Sequence, residues 1–425
     1  MRLRLLLATL LLAACGAPAR PAPPPGTLTV GLPEPTLPGD PTVTNLLWTP
    51  VVDYDPTTGK VTPRAAAAVT STDQVTWTVT LNPASYTDGR PVIAQSYVDA
   101  WSRVKALPVK EVTAPDERTV RLVLSRPYSD LPAFLASPLA LPYRPEDPML
   151  GDGPFRLTTP WQPGKGAHAV RVHYEPGRAK EIELRVFTDM AAAYDEVKAG
   201  TLDIALAVPG SRHDAMHTEF ADRHVMWAQP SVTYLALDQL TDPAARFAVS
   251  MSLDRKALAT GAMDNQVDAA SALLPPAIAP GERSGACRAC TTDPAAAKSL
   301  REQAGLTAVK VEPKALADQV HAALGVDVGS GPAVQAHTRV LATLSPYDFL
   351  ASLGVPSIQQ FLDGAAASGD FAERAQLYRL AENQVLRDLP VAPLWSGHGH
   401  AVWGPRVRAV TATAAHGLEL AGVDT

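Results

Sequence analysis

Residues 76–101 read TWTVTLNPASYTDGRPVIAQSYVDAW. The opening residues alternate, with Trp77, Val79 and Leu81 on one side and Thr76, Thr78 and Thr80 on the other. That period of two, in β-branched and aromatic residues, specifies a half-buried strand. Asn82-Pro83 and Asp88-Gly89 supply turn chemistry, because proline fixes φ and glycine accepts positive φ. The period then changes. Ala94, Tyr97, Val98 and Trp101 fall at i, i+3, i+4 and i+7, one face of a helix. A strand, a D-G-x-P turn and an amphipathic helix form a unit that needs a partner surface.

Around this stretch lies a chain of 425 residues, long enough for two or three domains, with 46% hydrophobic residues to build a core. Its formal charge of -6 leaves no basic footprint, so no nucleic-acid partner is expected. Met1-Arg2-Leu3-Arg4 is a short positive segment, and residues 5–12 are a nearly continuous apolar run too short to span a bilayer. Leu12-Ala13-Ala14-Cys15 matches the bacterial lipobox, in which the cysteine thiol takes the diacylglycerol. Residues 1–15 are therefore read as a lipoprotein signal peptide; the plainer alternative is an ordinary signal peptide with a chance cysteine. Residues 16–26, with prolines at 18, 21, 23, 24 and 25, read as an extended tether. The expected location is the extracytoplasmic face of the cell membrane, held by lipid on Cys15, with a second acyl chain making the anchorage stable. Cys287 and Cys290 are the remaining cysteines. Outside the membrane, with no second ligand pair in view, a tight disulfide is expected ahead of zinc or thiol chemistry.

The stretch 76–101 resembles the signature segment of the family 5 substrate-binding proteins of ABC importers, the oligopeptide, dipeptide and nickel type. Trp77, Leu81, Tyr86, Asp88, Gly89, Pro91, Ala94, Val98 and Trp101 fall on that pattern. One departure is physical: Ile93 stands where the family often has a capping threonine, so the helix start is expected to lack a side-chain cap. Further landmarks follow in the family's order. They are N-L-L-W-T-P-V-V-D-Y at 45–54, G-D-G-P-F-R-L at 151–157, G-T-L-D-I-A at 200–205, D-P-A-A-R-F-A-V-S-M-S-L-D-R-K-A-L at 242–258, Pro275-Pro276, D-P-A-A-A-K at 293–298 and L-P-V-A-P-L-W at 389–395. Between them, a helix is expected from Arg126 to Leu135, a strand over 182–187, and a helix capped by Thr188 that stops at Gly200. Asp254 and Arg255 are expected to be structural.

The resemblance implies an α/β, periplasmic-binding-protein-like two-lobed fold (type II, cluster C) with an inserted small α+β domain. Residues 27–50, 148–232 and 395–425 would form lobe I, 51–147 the inserted domain, and 233–394 a shortened lobe II. It implies capture of a peptide-like ligand between lobes and delivery to ABC permease subunits, by a monomer, without catalysis or cofactor. Ligand contacts are expected from Glu34, Trp48, Tyr234, Asp238, Asp348 and Trp395, with Asp348 standing for the aspartate that pairs with a peptide's N-terminus in the family. Three alternatives remain: capture of a nickel chelate, another metal chelate or heme by the same fold; a zinc-dependent hydrolase at His213 and His217, spaced i and i+4 as in H-E-x-x-H; and a fold retained without transport. The plain reading of the two histidines is a solvated helix, and Asp214 is a short substitute for the glutamate base. His398-Gly399-His400 is a second pair, beside the expected cleft.

Overall fold

The alternation in residues 76–101 is realised as the strand Thr76–Leu81, with Trp77, Val79 and Leu81 buried, followed by the helix Ala94–Trp101, which buries Ala94, Tyr97 and Trp101. The computed structural model describes residues 23–37, 39–105, 107–142, 144, 146–147, 149–173, 175–280 and 287–425; the signal peptide, the lipobox with Cys15 and most of the tether lie outside them. At the turn, the Tyr86 N–H donates to the Arg90 carbonyl, and Gly89 takes φ +88°. No side chain caps the helix at Ile93. The Ala94 N–H instead donates to the Glu117 carbonyl, which satisfies one of the donors a helix start leaves over.

The strand is an inner member of a four-stranded antiparallel sheet, in the order Ala66–Thr70, Thr76–Leu81, Thr119–Leu124, Val109–Asp116. Trp101 is fully buried against it, edge-on to Tyr97 and Phe134, and its indole N–H donates to the Ala140 carbonyl at 3.0 Å. These aromatics are core. The helix expected from Arg126 is confined to Leu131–Leu135, because Pro132 fits only in a first turn.

Ten of the remaining strands join one sheet, while Val52–Asp55 pairs with Lys60–Pro63 and Ala412–Thr413 with Gly417–Leu418 in two small ones. Thr27–Leu32 runs parallel to Glu181–Val186 and to Ile204–Ala205, with the helix Met190–Ala199 as the crossover between those two. That helix is capped by Asp189 rather than Thr188, its side chain accepting from the Ala191 N–H, and Gly200 closes it at φ +74°. Gly166–Arg171 and Phe155–Leu157 extend this half, while Ala333–Val340 and Lys310–Glu312 extend the other. Two antiparallel strands of 13 residues, His224–Ala236 and Val391–Trp403, connect the halves.

The second long strand runs eight residues past Trp395, where the L-P-V-A-P-L-W landmark ends. Its continuation, S-G-H-G-H-A-V-W, lacks the usual β-branched signal because the partner strand crosses close by. A Cβ on Gly397 would lie 2.2 Å from Ser231 Oγ, and one on Gly399 would lie 2.3 Å from the Trp227 ring. The register shifts between Ala228 and Val232, so the two strands bend together at Gln229-Pro230-Ser231.

Two large apolar clusters lie on either side of that bend. One gathers Leu28, Val30, Leu46, Trp48, Phe155, Ile182 and their neighbours. The other is continuous from the inserted four-stranded sheet into the second half, from Val51 and Trp77 through Tyr128 to Tyr234, Phe349 and Trp395. Polar contacts reinforce the junction. Ser129 Oγ donates to the Ala365 carbonyl at 2.7 Å, and Asp130 Oδ2 accepts from Ser345 Oγ and Tyr378 OH at 2.7 and 2.9 Å. The inserted segment leaves and rejoins the first half in sequence, yet it packs on the second.

The Cys287–Cys290 disulfide closes a tight loop with a Cα separation of 5.2 Å. Arg255, buried beside it, donates to the carbonyls of Pro393, Ser250 and Cys290, and Asp254 caps the helix Arg255–Thr260. Both residues are structural, as expected.

Trp101→Ala should lower stability by about 4 kcal/mol in denaturant titration, the cost of emptying a fully buried indole site. A pH signature is expected at His416, whose ring lies 3.2 Å from Asp53 and 3.4 Å from Glu419. Burial alone would lower its pKa, but hydrogen bonds and charge from the two carboxylates raise it to about 9. The stabilisation is complete below the ordinary histidine value and fades as pH rises through about 9. The Tm difference between wild type and His416→Asn should shrink accordingly between about pH 6.5 and 9.

Candidate binding site

The short strand Val267–Ala269 adds to Val391–Trp403, with Asp268 opposite Ser396, and the Ala270 N–H donates to the Leu394 carbonyl. Among the described strands it pairs with no other, so its outer edge is open. Residues 270–279 then form a wall without helix or strand. Prolines 275 and 276 deny it a ladder of its own. It is held from outside. The Cys287 N–H donates to the Ser271 carbonyl at 2.9 Å. Glu382, fully buried on the helix Phe371–Asp388, accepts from the N–H groups of Leu273 and Leu274 at 2.7 and 3.0 Å.

The facing wall is the turn between Val52–Asp55 and Lys60–Pro63 in the inserted segment. Thr57 and Thr58 donate their hydroxyls to Asp55 at 2.7 and 2.6 Å, which fixes the turn. Between the walls lies a cavity of about 600 Å³, with Val232 and Ser396 of the long strands also lining it. The lining is mostly Ala, Pro, Leu and Val, with hydroxyls from Thr57, Thr58, Ser271 and Ser396 and a single charged residue, Asp268. An apolar wall with a few polar groups is a composition that small-molecule sites use. The Asp268 side chain is 63% exposed, and Oδ2 lies 2.9 Å from His398 Nδ1. The His398 ring beside it holds the carboxylate below its usual pKa, so it is ionised at neutral pH and accepts only.

None of the six residues expected to touch ligand lines this cavity. Trp48 lies in the core of the first half. Tyr234 and Trp395, each 6% exposed, lie in the other core; Tyr234 packs on His337 and Phe349, and Trp395 pairs with the cavity-lining Ala269. Glu34, exposed on the first half, accepts from Trp161 Nε1 at 3.0 Å and from the Gly164 N–H at 2.6 Å. Asp238 is exposed in the turn after His224–Ala236. Asp348 Oδ2 accepts from Tyr128 OH and Thr343 Oγ1 at 2.8 and 2.6 Å; burial dominates and raises it to about 6 despite those bonds. Its carboxylate ties the inserted segment to the second half. Sequence reading did not single out the cavity-lining Asp268, Ser271 and Ser396. Asp268 sits in a three-residue strand, too short to carry a pattern.

His213 and His217 do share a face of the helix His213–Glu219, with ring centroids 5.2 Å apart. His398 Nε2 bonds to the Asn265 carbonyl at 3.0 Å and His224 Nδ1 to the Phe220 carbonyl at 2.7 Å. Among the described residues, no group of three or more His, Cys, Asp or Glu is arranged to hold a metal ion.

Comparison with known proteins bears on the cleft. The family described as bacterial extracellular solute-binding proteins, family 5 Middle, matches residues 60–320. The probable D,D-dipeptide-binding periplasmic protein DdpA of Escherichia coli strain K12 is 28% identical over 223 residues, 45% of this chain and 43% of that one, so the match spans less than half of that relative. In fold, the chain is similar to HbpA2 from Haemophilus parasuis, with a TM-score of 0.79 at 16% identity over 94% of this chain and 99% of the other. It is also similar to the Escherichia coli murein tripeptide binding protein MppA, with a TM-score of 0.70 at 19% identity over 94% and 99%.

Glu382→Ala should strand two buried amides of the cavity wall. It is expected to cost about 3 kcal/mol of stability and to speed hydrogen exchange at Leu273 and Leu274 before the rest of the core.

Proposed function

The chain belongs to the bacterial extracellular solute-binding proteins of family 5, and from that premise we propose that it captures a peptide-like solute carrying a free amino group and passes it to a membrane permease. Its family binds solutes rather than transforming them. One observation carries the reading: the cavity offers an apolar wall, four hydroxyl-bearing residues and one carboxylate, Asp268. An N-terminal ammonium pairs with that carboxylate, while short side chains rest on the Ala and Pro wall. The open edge of Val267–Ala269 suits an extended backbone, which adds to a sheet edge through its own N–H and C=O groups. The names of the relatives, a D,D-dipeptide binder and a murein tripeptide binder, support a short peptide.

Capture would proceed by hinge closure. Both cavity walls, the turn bearing Thr57 and Thr58 and residues 270–279, pack with the second half, so bending at Gln229-Pro230-Ser231 and Gly397 would bring the first half over the cavity rather than draw its walls together. Lipid on Cys15 would keep the binding protein beside its permease. Among the described residues no helix is long and apolar enough to cross a membrane.

The test is calorimetric titration with a panel of di- and tripeptides, each with a free and an acetylated N-terminus. Free-amine peptides are expected to bind, and acetylation or Asp268→Asn to weaken binding by about 10- to 100-fold, the worth of one charge-assisted hydrogen bond. Equal affinity for free and acetylated peptides would overturn the role of Asp268. No binding across the panel would overturn the peptide reading.

A further inference from the structure

Behind Asp268, five of the ten histidines of the chain gather. Helix His213–Glu219 brings His213 and His217, the long strand His224–Ala236 brings His224, and its partner brings His398 and His400. Ring centroids stand 4.4 Å apart for His398 and His400, 5.2 Å for His213 and His400, 5.0 Å for His217 and His224, and 6.3 Å for His213 and His398. His213 Nδ1, His398 Nδ1 and His400 Nε2 are buried without a geometrically complete hydrogen bond, although His398 Nδ1 forms an ion pair with Asp268 Oδ2 at 2.9 Å. The charges facing the cluster are few. Asp268 comes from the short strand, Asp214 from the first turn of the helix, and Asp264 lies beside Gly210. The nearby Arg212 is paired with Asp195, and Glu219 with Lys198 and Tyr194.

Two imidazolium ions at such separations repel strongly in a half-buried site. The cluster therefore holds a proton where a carboxylate faces it, at His398. Burial acts to lower the His213, His398 and His400 rings. At His398 the neighbouring Asp268 carboxylate, with the Asn265 carbonyl, outweighs burial and raises the pKa. At His400 burial, joined by His398 and His213, holds it down to about 3, and His213 is lowered by burial, His217 and His398. Protonated His398 thus pairs with Asp268, while His213 and His400 beside it are biased toward the neutral form.

We propose that capture of a cationic solute by Asp268 releases one proton from His398 to solvent, so that the cleft holds its solute near neutral pH and lets it go on acidification. This rests on the reading of the cleft as a site for a free amino group. The solute ammonium takes the carboxylate lone pairs that faced His398 Nδ1–H and repels the imidazolium beside them. The Nδ1–H bond breaks to solvent and no other covalent bond changes. Solute and proton compete, so affinity rises with pH by up to about tenfold per pH unit until His398 is neutral in the free protein.

The experiment is calorimetric titration of the full chain with trialanine from about pH 5.5 to 8, in phosphate and in Tris. The difference in heat between the two buffers counts the protons released. Wild type is expected to release up to one proton and to weaken several-fold per pH unit on acidification. In His398→Gln both effects should vanish, whereas His400→Gln should keep them. Trialanine binding with the same proton count in wild type and His398→Gln overturns the inference alone. Failure of every free-amine peptide to bind at any pH overturns the reading of the cleft, and the inference with it. Should His398→Gln not fold, the His398 ring is titrated by NMR in wild type and Asp268→Asn without peptide. A lower midpoint in the variant is expected, and an unchanged one overturns the inference.

Discussion

Pairing between His224–Ala236 and Val391–Trp403 is the constraint on which the rest of the structure depends. These strands belong to both halves, so each half is completed only when the two meet. Their register is exact in effect at the ends and shifted in the middle, which localises bending to a few residues. The same pairing delivers Ser396 to the cavity and lays Val267–Ala269 beside it. It also sets His398 and His400 opposite Ala228 and Met226, on the strand that begins at His224. A slip of one residue would exchange the faces of both strands and dismantle hinge, cavity and histidine cluster together.

Much of the fold was legible in the chain because its signals are local. Alternation over Thr76–Leu81, the helical face of Ala94–Trp101 and the crossover ending in Gly200 each lie within one element. The disulfide was legible from the compartment and a spacing of three. The site was not, because its parts are made by other parts. Residues 270–279 have no period since their amides are satisfied by Glu382 and by neighbouring strands rather than by a ladder of their own. The i, i+4 spacing of His213 and His217 and the G-H-G-H run were visible separately. Only the pairing of distant strands makes them neighbours. Asp348 shows the converse: a position chosen by likeness to a family landmark whose carboxylate is engaged with Tyr128 and Thr343.

Burial divides the charged groups into two uses. Asp130, Asp348, Glu382 and Arg255 face inward and bind hydroxyls, amides or carbonyls, so they set the positions of elements. Asp268 faces the cavity with most of its side chain accessible, and its nearest partner is a titratable ring rather than a fixed cation. A carboxylate held by arginine is committed. One held by histidine can be surrendered, which is what a reversible binder needs.

The outsourced support of the cavity wall has a consequence for how this site changes. A wall drawn as a helix or strand carries its shape in its own backbone bonds. Here the contour of residues 270–279 is cast by a mould elsewhere, chiefly one carboxylate on the helix Phe371–Asp388. Cavity shape can therefore be remodelled from residues no solute meets, leaving the solute-facing chemistry untouched.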